Sequence, residues 1–176
     1  MGLKVLKQNT CRCKKMSFES QLSDFLKDFE KLIVLGVGNE LKCDDGVGPF
    51  IIKRLKEQGF EDKNRLLFIN AETVPENFTG KIRKENPTHL IIVDACLMGG
   101  RSGDMKIVDK YDFANIGIST HSMSLSFFVR YLEKDTDFKI IFIGIEPESM
   151  DYSEELTENV ERTAYEFIDR LKGIVL

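Results

Sequence analysis

The sequence predicts an α/β fold, a three-layer sandwich in which a mostly parallel, twisted sheet carries helices on both faces. Two observations predict this fold. Short apolar stretches of strand length alternate along the chain with segments whose apolar residues have helical spacing. The stretches Leu32–Val37 and Leu90–Val93 contain no polar side chain, as is typical of strands buried on both faces. A chain of 176 residues is long enough for one domain with a hydrophobic core and short for two.

The start of the chain differs in composition from the rest. Its first fifteen residues carry five basic side chains and no acidic one. Cys11 and Cys13 lie within this run and invite interpretation as a metal or redox tail, but they supply only half of the ligands that a structural zinc site requires. We therefore interpret residues 1–16 as a basic N-terminal extension, solvated or disordered, and residues 17–176 as one α/β domain.

The first two elements of the domain follow from hydrophobic spacing. A helix beginning near Ser17 is predicted by a stripe at i, i+4, i+7, i+8 and i+11, formed by Phe18, Leu22, Phe25, Leu26 and Phe29. Lys31–Val37 reads as a buried strand. After a glycine-rich turn, a second helical face consists of Val47, Phe50, Ile51 and Leu55. Gly59 is placed to end that helix.

The middle of the chain continues the alternation. Arg65–Asn70 is predicted as a second strand, and Pro75–Glu85 as a helix, because proline is tolerated in a first turn. Pro87 closes that helix. His89–Val93 is predicted as a third strand, apolar after His89, which we expect at the surface.

One strand breaks the parallel pattern. Asp104–Val108 follows the third strand without room for a crossover helix, so we expect a short edge strand that runs antiparallel. A helix at Ser122–Glu133 has an apolar face of Leu125, Phe128, Val129 and Leu132. Phe138–Ile143 is a further strand. Thr157 is placed to cap a last helix, whose stripe is Val160, Ala164, Phe167, Ile168 and Leu171.

Composition argues against several classes of protein. A net charge of −4 does not suit broad nucleic-acid binding, which needs a basic face. No apolar run reaches the roughly 18 residues of a transmembrane helix, and a secretory signal is missing, so no membrane insertion is expected. Four cysteines do not resemble a disulfide framework in a chain of this size. Free thiols suit a reducing compartment, and we expect a cytoplasmic protein.

Polar side chains gather where this fold class binds ligands, outside the carboxyl ends of the strands. The first strand is followed by Asp44 and Asp45, the third ends in Asp94, and His121 precedes the helix at Ser122. Two carboxylates and an imidazole suit a divalent transition metal, without indicating which one. Taken singly, the three residues also have structural explanations: a helix cap for Asp45, hydrogen bonds to a neighbouring loop for Asp94, and a cap or core position for His121.

A nucleotide-binding site at the carboxyl ends of the strands fits the sequence less well. Gly36-x-Gly38 after a strand invites a dinucleotide-binding interpretation, but Leu41 stands where the third glycine should be. Asp44 and Asp45 would repel a pyrophosphate at the helix N-terminus, and acids there instead suit the helix dipole. We therefore reject nucleotide binding.

Patterns of other hydrolases are also missing. The chain contains neither a G-x-S-x-G elbow nor a His-Glu-x-x-His helix. Cys96 as a nucleophile with His121 as its base is one alternative, but Cys96 follows a strand end that is not electropositive. Cys43 lies in the acidic turn, where a thiolate is disfavoured.

Four blocks of the sequence, in order, resemble the motifs of the hydrogenase maturation endopeptidases. They are Val34–Leu41 with Asp44–Pro49, Ile91–Ala95, Ser119–Met123 and Gly144–Glu148. In addition, Pro75–Phe78 resembles the branch that processes energy-converting and cofactor-reducing hydrogenases. A single block is only modestly specific, but four at these spacings are strong. The resemblance runs from about Ile33 to the last helix, and residues 1–30 lie outside it.

The resemblance implies an enzyme that cleaves a short C-terminal extension from the large-subunit precursor of a nickel–iron hydrogenase after nickel insertion. The nickel of the precursor is then the recognition element, and its ligands, by matching positions, are Asp45, Asp94 and His121, which are also the expected catalytic residues. Some family members carry glutamate in place of Asp45 and a neutral residue in place of Glu146. An extra carboxylate at Glu146 is expected to bind substrate or to face solvent. Since nickel arrives with the substrate, we expect a resting protein that is largely metal-free.

The sequence leaves two mechanisms open, and two functions other than proteolysis are also considered. A metal can polarise the scissile carbonyl or activate a water molecule, whereas the family has also been grouped with aspartic-type peptidases. A non-catalytic nickel-sensing assembly chaperone would keep the same three residues. A small-molecule hydrolase or phosphorylase on the same fold would need a phosphate pocket near Gly36, which the pair Asp44 and Asp45 disfavours.

Overall fold

The computed structural model describes residues 16–108, 122–134 and 136–176 of the chain. The helices are α1 (Phe18–Phe25), α2 (Val47–Glu57), α3 (Thr79–Glu85), α4 (Ser122–Glu133) and α5 (Glu158–Val175). The strands are β1 (Leu32–Val37), β2 (Leu66–Glu72), β3 (His89–Ala95), β4 (Met105–Val108) and β5 (Lys139–Ile145). Two 3₁₀ turns, Cys43–Gly46 and Pro75–Phe78, directly precede α2 and α3. The predicted order of elements is confirmed.

The strands form a five-stranded sheet in the order β2-β1-β3-β5-β4. β1 pairs in parallel with β2 and β3, and β3 pairs in parallel with β5. β4 runs antiparallel to β5 at one edge of the sheet, which confirms the prediction for this short strand. Helices lie on both faces, so the predicted fold class is correct. Because β1, β3 and β5 are parallel and adjacent, the loops that follow them lie together at the carboxyl end of the strands, which we call the carboxyl edge of the sheet.

Side chains alternate between two hydrophobic layers. On one face, Val34 and Ile91 of the sheet pack with the apolar stripes of α1, α2 and α5. On the other face, Ile33 and Ile92 pack with α3 and α4. The predicted stripe residues of α4 and α5 are all buried: Leu125, Phe128, Val129, Leu132, Val160, Ala164, Phe167, Ile168 and Leu171. The helical spacing read from the sequence therefore identifies the packed faces correctly.

His89 is buried, and the prediction that it lies at the surface is wrong. Its side chain is 1% exposed at the amino end of β3. The Phe25 and Phe29 rings lie nearly perpendicular to its imidazole, with ring centroids 4.9 and 6.5 Å away. Its Nδ1 lies 2.9 Å from the Thr88 hydroxyl, which gives one of the two ring nitrogens a hydrogen-bond partner. The His89 side chain is covered by α1 and the residues after it. This contact is long-range, so the local sequence at the start of β3 does not predict it.

Two element boundaries differ from the predictions for physical reasons. The predicted helix at Pro75–Glu85 is a 3₁₀ turn followed by α3, which ends at Asn86 with a left-handed φ of +46°. β3 continues two residues past Val93, because hydrogen bonding to β5 extends to the pair Ala95 and Ile145. Among the described helices, none has both the length and the apolar composition needed to span a membrane.

Candidate active site

Close packing of glycines brings the start of α2 against the sheet. A Cβ on Gly36 would lie 2.3 Å from the carbonyl oxygen of Gly48. A Cβ on Gly48 would lie 2.3 Å from the carbonyl oxygen of Val37 and 2.6 Å from that of Val93. Any larger residue would therefore push α2 away from β1 and β3. These contacts hold the 3₁₀ turn Cys43–Gly46 beside the carboxyl ends of the two central strands.

Asp45 lies in that turn and is buried, with 1% of its surface exposed. Its Oδ2 accepts a hydrogen bond from the backbone N–H of Asn39 at 3.1 Å. Gly46, and not Asp45, is the N-cap residue of α2. The carboxylate thus points back to the end of β1, rather than serving simply as the cap of the helix that follows it.

Asp94 lies within β3 and is fully buried, including both carboxylate oxygens. The alternation of β-strands puts its side chain on the same face as Ile92 and Cys96, which pack toward α3 and α4. Its neighbour on β5 is Gly144, where a Cβ would lie 3.0 Å from Cys96 Cβ and 3.1 Å from Met98 Sδ. The sheet therefore presents a buried acid near its carboxyl edge, on the side covered by α4.

His121, the third predicted site residue, lies outside the described residues, and so does the Ser119–Thr120 segment before it. α4 begins at the next residue, Ser122, and packs on the same face of the sheet as Asp94. A short connection joins the end of α4 to the amino end of β5, so the first turn of α4 lies toward the carboxyl edge. The meeting of His121 with the two acids remains a prediction.

In the described part of the chain, no group of three or more histidine, cysteine, aspartate or glutamate side chains is arranged to hold a metal ion. The predicted ligand set includes His121, which is not in that part. Asp45 and Asp94 by themselves provide two carboxylates, an incomplete set for a transition metal.

Asp44 has a role that the sequence does not reveal. It is fully buried beside Asp45, but its carboxylate accepts hydrogen bonds from a distant segment. Oδ2 accepts from the backbone N–H groups of Glu148 and Ser149 at 2.8 and 3.0 Å. Oδ1 accepts from the backbone N–H of Thr157 at 2.8 Å. Of two adjacent identical acids, one is thus anchored to the loop before α5, while the other faces the end of β1.

Glu146 is buried, so the expectation that it faces solvent is wrong, whereas substrate binding by Glu146 stays a prediction. Its side chain is 5% exposed. Its Oε2 accepts from the backbone N–H groups of Met98 and Gly100 at 2.7 and 3.0 Å. These bonds hold the loop that follows Asp94 against the end of β5, and a sequence signal for this pairing is lacking because the partners are backbone groups.

Cys96 is a poor candidate for a nucleophile, as predicted. Burial, together with smaller contributions from the nearby carboxylates of Asp94 and Glu146, raises the pKa of its thiol to about 11. A thiol with such a pKa is almost entirely protonated at neutral pH, and the thiolate is the reactive form. Cys43 and Cys96 are both free and buried.

Comparison with known proteins points to one family. The family model "hydrogenase maturation protease" matches residues 49–173. A hydrogenase maturation protease homologue from Methanocaldococcus jannaschii is 38% identical, with 88% of this chain and 98% of the relative covered. The hydrogenase 3 maturation protease of Escherichia coli K12 is 32% identical, with 80% and 88% covered. The crystal structure of the [NiFe] hydrogenase maturation protease HycI from Thermococcus kodakarensis superposes with a TM-score of 0.78 at 29% identity, covering 88% of this chain and 98% of that one.

The fold and the similarities together define an α/β peptidase. More specifically, the chain belongs to the hydrogenase maturation protease family.

Proposed function

We propose that the protein is an endopeptidase that removes the C-terminal extension of a nickel–iron hydrogenase large-subunit precursor after nickel has been inserted. The observation that carries this proposal is the pair of buried carboxylates, Asp45 and Asp94, at the carboxyl edge of the sheet in a chain of this family. The precursor's nickel is the recognition element in this proposal.

Asp45, Asp94 and His121 are the proposed ligands of the nickel that the precursor carries. Carboxylate and imidazole groups suit a divalent transition metal. Both carboxylates are buried at the carboxyl end of the sheet, where their negative charge favours binding of a cation that the substrate delivers. The resting protein is then largely metal-free, because the ion enters and leaves with the precursor.

Cleavage in this proposal proceeds by attack of water on the scissile carbonyl. A carboxylate of the site acts as general base, takes a proton from the water and then passes it to the amine nitrogen that leaves when the peptide C–N bond breaks. A metal ion at the site polarises the carbonyl or the water, and the aspartic-type alternative uses the same acids without that contribution. Cys96 takes no part, since its raised pKa keeps the thiol protonated.

Exposed apolar side chains near the site support a protein as the substrate. Leu41, Val74, Leu97 and Tyr152 come from four different loops that follow β1, β2, β3 and β5, and each is at least 38% exposed. Leu41 and Tyr152 are brought together because the backbone N–H of Ser153 donates to the Leu41 carbonyl at 3.1 Å. Such side chains at the rim of a polar site are suited to contact a polypeptide.

The proposed location is the cytoplasm. The free thiols of Cys43 and Cys96 are compatible with a reducing compartment.

The decisive experiment incubates the purified protein with nickel-loaded and with nickel-free large-subunit precursor and measures the C-terminal mass. We expect cleavage of the nickel-loaded form alone, and loss of cleavage in Asp45→Asn, Asp94→Asn and His121→Ala variants. Asn preserves the shape of the two buried acids. Asp62→Asn is the matched control, since Asp62 accepts a backbone hydrogen bond from Asn64 before β2, at the opposite edge.

Two results would change the proposal. Equal cleavage of the nickel-free precursor would remove nickel as the recognition element. Tight binding of the nickel-loaded precursor without any cleavage would instead identify a nickel-sensing assembly chaperone.

A further inference from the structure

Residues 146–157, between β5 and α5, are hydrogen bonded to two separate parts of the candidate site. One end of this segment meets the loop that follows Asp94, and the remainder meets the turn that contains Asp45. Each connection is made by a buried carboxylate that accepts several hydrogen bonds from backbone N–H groups. Neither carboxylate is among the proposed nickel ligands.

The first connection is made by Asp44. Its Oδ2 accepts from Glu148 and Ser149, and its Oδ1 accepts from the backbone N–H of Thr157. The Thr157 hydroxyl lies 3.0 and 2.9 Å from the two oxygens. In return, the backbone N–H of Asp44 donates to the Ser149 carbonyl at 3.1 Å. Since donors occupy both oxygens, the carboxylate is held in one orientation, and so is the backbone of Asp45 next to it.

The second connection is made by Glu146. Its Oε2 accepts from the N–H groups of Met98 and Gly100, and its carbonyl accepts from Gly103 N–H at 2.8 Å. Its own N–H donates to the Asp104 carbonyl at 2.9 Å. These bonds hold the loop 97–104 against the end of β5, close to the carboxyl end of β3, which contains Asp94.

We infer that Asp44 and Glu146 are positioning residues, which use the segment 146–157 to hold the backbone on either side of Asp45 and after Asp94 in one arrangement. This inference rests on the proposed function, since it assigns the segment to the same site. Charge-assisted hydrogen bonds in a buried setting are short and strongly oriented, which suits them to this purpose. A ligand set drawn from separate loops is held more precisely when hydrogen bonds outside the set fix the backbone of those loops.

The chemistry of the two carboxylates predicts different responses to amide substitution. In Asp44→Asn, one end of the amide is an NH₂ group, which would face a backbone N–H donor in either orientation. In Glu146→Gln, the amide oxygen can replace Oε2 and accept both N–H groups. Asp44→Asn is therefore expected to disturb the site, whereas Glu146→Gln should resemble the wild type and Glu146→Ala should not.

The test measures processing of nickel-loaded large-subunit precursor by full-length variants, together with hydrogen–deuterium exchange. Asp44→Asn and Glu146→Ala should lower kcat by about tenfold to 100-fold, with KM changed by less than about twofold, since small displacements of reacting groups act mainly on the transition state. Glu146→Gln should restore kcat to within about threefold of the wild type. Exchange should become faster at residues 39–46 in Asp44→Asn and at residues 97–100 in Glu146→Ala, but not in β1.

Several outcomes would overturn the inference. Faster exchange with an unchanged kcat would mean that the connections stabilise the fold without positioning the site. Unchanged exchange at residues 39–46 in Asp44→Asn would mean that this carboxylate does not hold the turn. Should Asp44→Asn not fold, Thr157→Val removes the hydroxyl donor alone and is judged by the same criteria.

Failure of the proposed function is a different result. Wild-type protein that does not cleave the precursor would refute the proposed function. Hydrogen–deuterium exchange alone would then test whether Asp44 holds the turn and whether Glu146 holds the loop.

Discussion

The carboxylate of Asp44 accepts hydrogen bonds from both the backbone N–H and the hydroxyl of Thr157, although 113 positions separate the two residues. Thr157 is the N-cap residue of α5, yet its side chain makes no capping hydrogen bond to that helix. Its hydroxyl is directed to Asp44 instead. The start of the last helix is thereby tied to the turn before α2, next to a residue of the candidate site.

The first prediction concerns the stability that Asp44 provides. Asp44→Ala leaves three partly buried backbone N–H groups without their carboxylate acceptor, and it should lower the free energy of unfolding by about 3 kcal/mol. Urea denaturation followed by circular dichroism measures the change. Asp62→Ala removes an acid that accepts a single N–H bond in an exposed turn, and should cost less than about 1 kcal/mol. Equal losses in the two variants would contradict the assigned contacts.

The second prediction concerns the packing of α2 on the sheet. Gly48→Ala would force a Cβ to within 2.3 Å of the Val37 carbonyl oxygen, so α2 and the turn carrying Asp45 must move. We expect a loss of about 3 kcal/mol in stability and loss of processing activity. Both are measured on the purified variant, by urea denaturation and by the precursor assay.

Gly173 of α5 offers a matched control for that substitution. A Cβ there meets nothing within 4 Å, and its φ is not in the left-handed region. Gly173→Ala should stabilise the protein by about 0.5–1 kcal/mol, because alanine loses less backbone entropy on folding. A normally stable Gly48→Ala protein would show that the close contact is not required.

The elements of this fold could be predicted because each shows its burial in local sequence. β1 and β3 are covered on both faces, so their apolar stretches are continuous, and the stripe of α5 repeats with helical spacing. The location of Asp45 and Asp94 can be predicted from the general rule that ligands bind at the carboxyl ends of parallel strands. Asp44 could not be distinguished from Asp45 in this way, since its partners are backbone groups of a segment about one hundred residues later. His89 was misplaced for the same reason, because its cover comes from α1.

The third prediction is a pH dependence that arises from His89. Burial, and to a lesser extent the Lys139 ammonium, lower the pKa of His89 below its ordinary value of 6.5, while Asp28 partly opposes this. Below about pH 6.5 the unfolded chain therefore binds a proton that the folded protein resists. The free energy of unfolding should decrease as the pH falls from 6.5 toward the lower pKa of the folded state, and should be fully retained above 6.5.

The variant His89→Asn isolates this effect. Its free energy of unfolding should change less between pH 7 and pH 5 than that of the wild type, as measured by denaturation at each pH. Asp28 lies 3.6 Å from His89 Nε2 and also pairs with Lys139 at 2.7 Å. Asp28→Asn should make the decrease larger, because it removes the carboxylate that favours the charged imidazole. A His89→Asn curve parallel to that of the wild type would contradict the assignment.

The fourth prediction concerns Cys96. With its thiol pKa raised to about 11, Cys96 should react slowly with iodoacetamide in the folded protein and rapidly after denaturation. Cys96→Ala should process the precursor at a rate within about threefold of the wild type, since a buried protonated thiol contributes packing and not chemistry. Mass spectrometry of the labelled peptides and the precursor assay test the two statements. Loss of activity in Cys96→Ala with normal stability would revive the cysteine nucleophile.

The last prediction addresses the exposed apolar side chains at the rim of the site. Tyr152 is 86% exposed and Leu41 53% exposed, and the hydrogen bond from Ser153 to the Leu41 carbonyl keeps their backbones side by side. If these side chains contact the precursor, Tyr152→Ser and Leu41→Ser should each raise KM by about threefold to tenfold while kcat stays nearly constant, because they act on binding away from the reacting bond. Tyr165, which is 38% exposed on α5 and packs edge-on against Phe50, is the control: Tyr165→Ser should lower stability but leave KM unchanged. A change in kcat rather than KM in the rim variants would mean that these residues affect the chemical step and not the docking of the precursor.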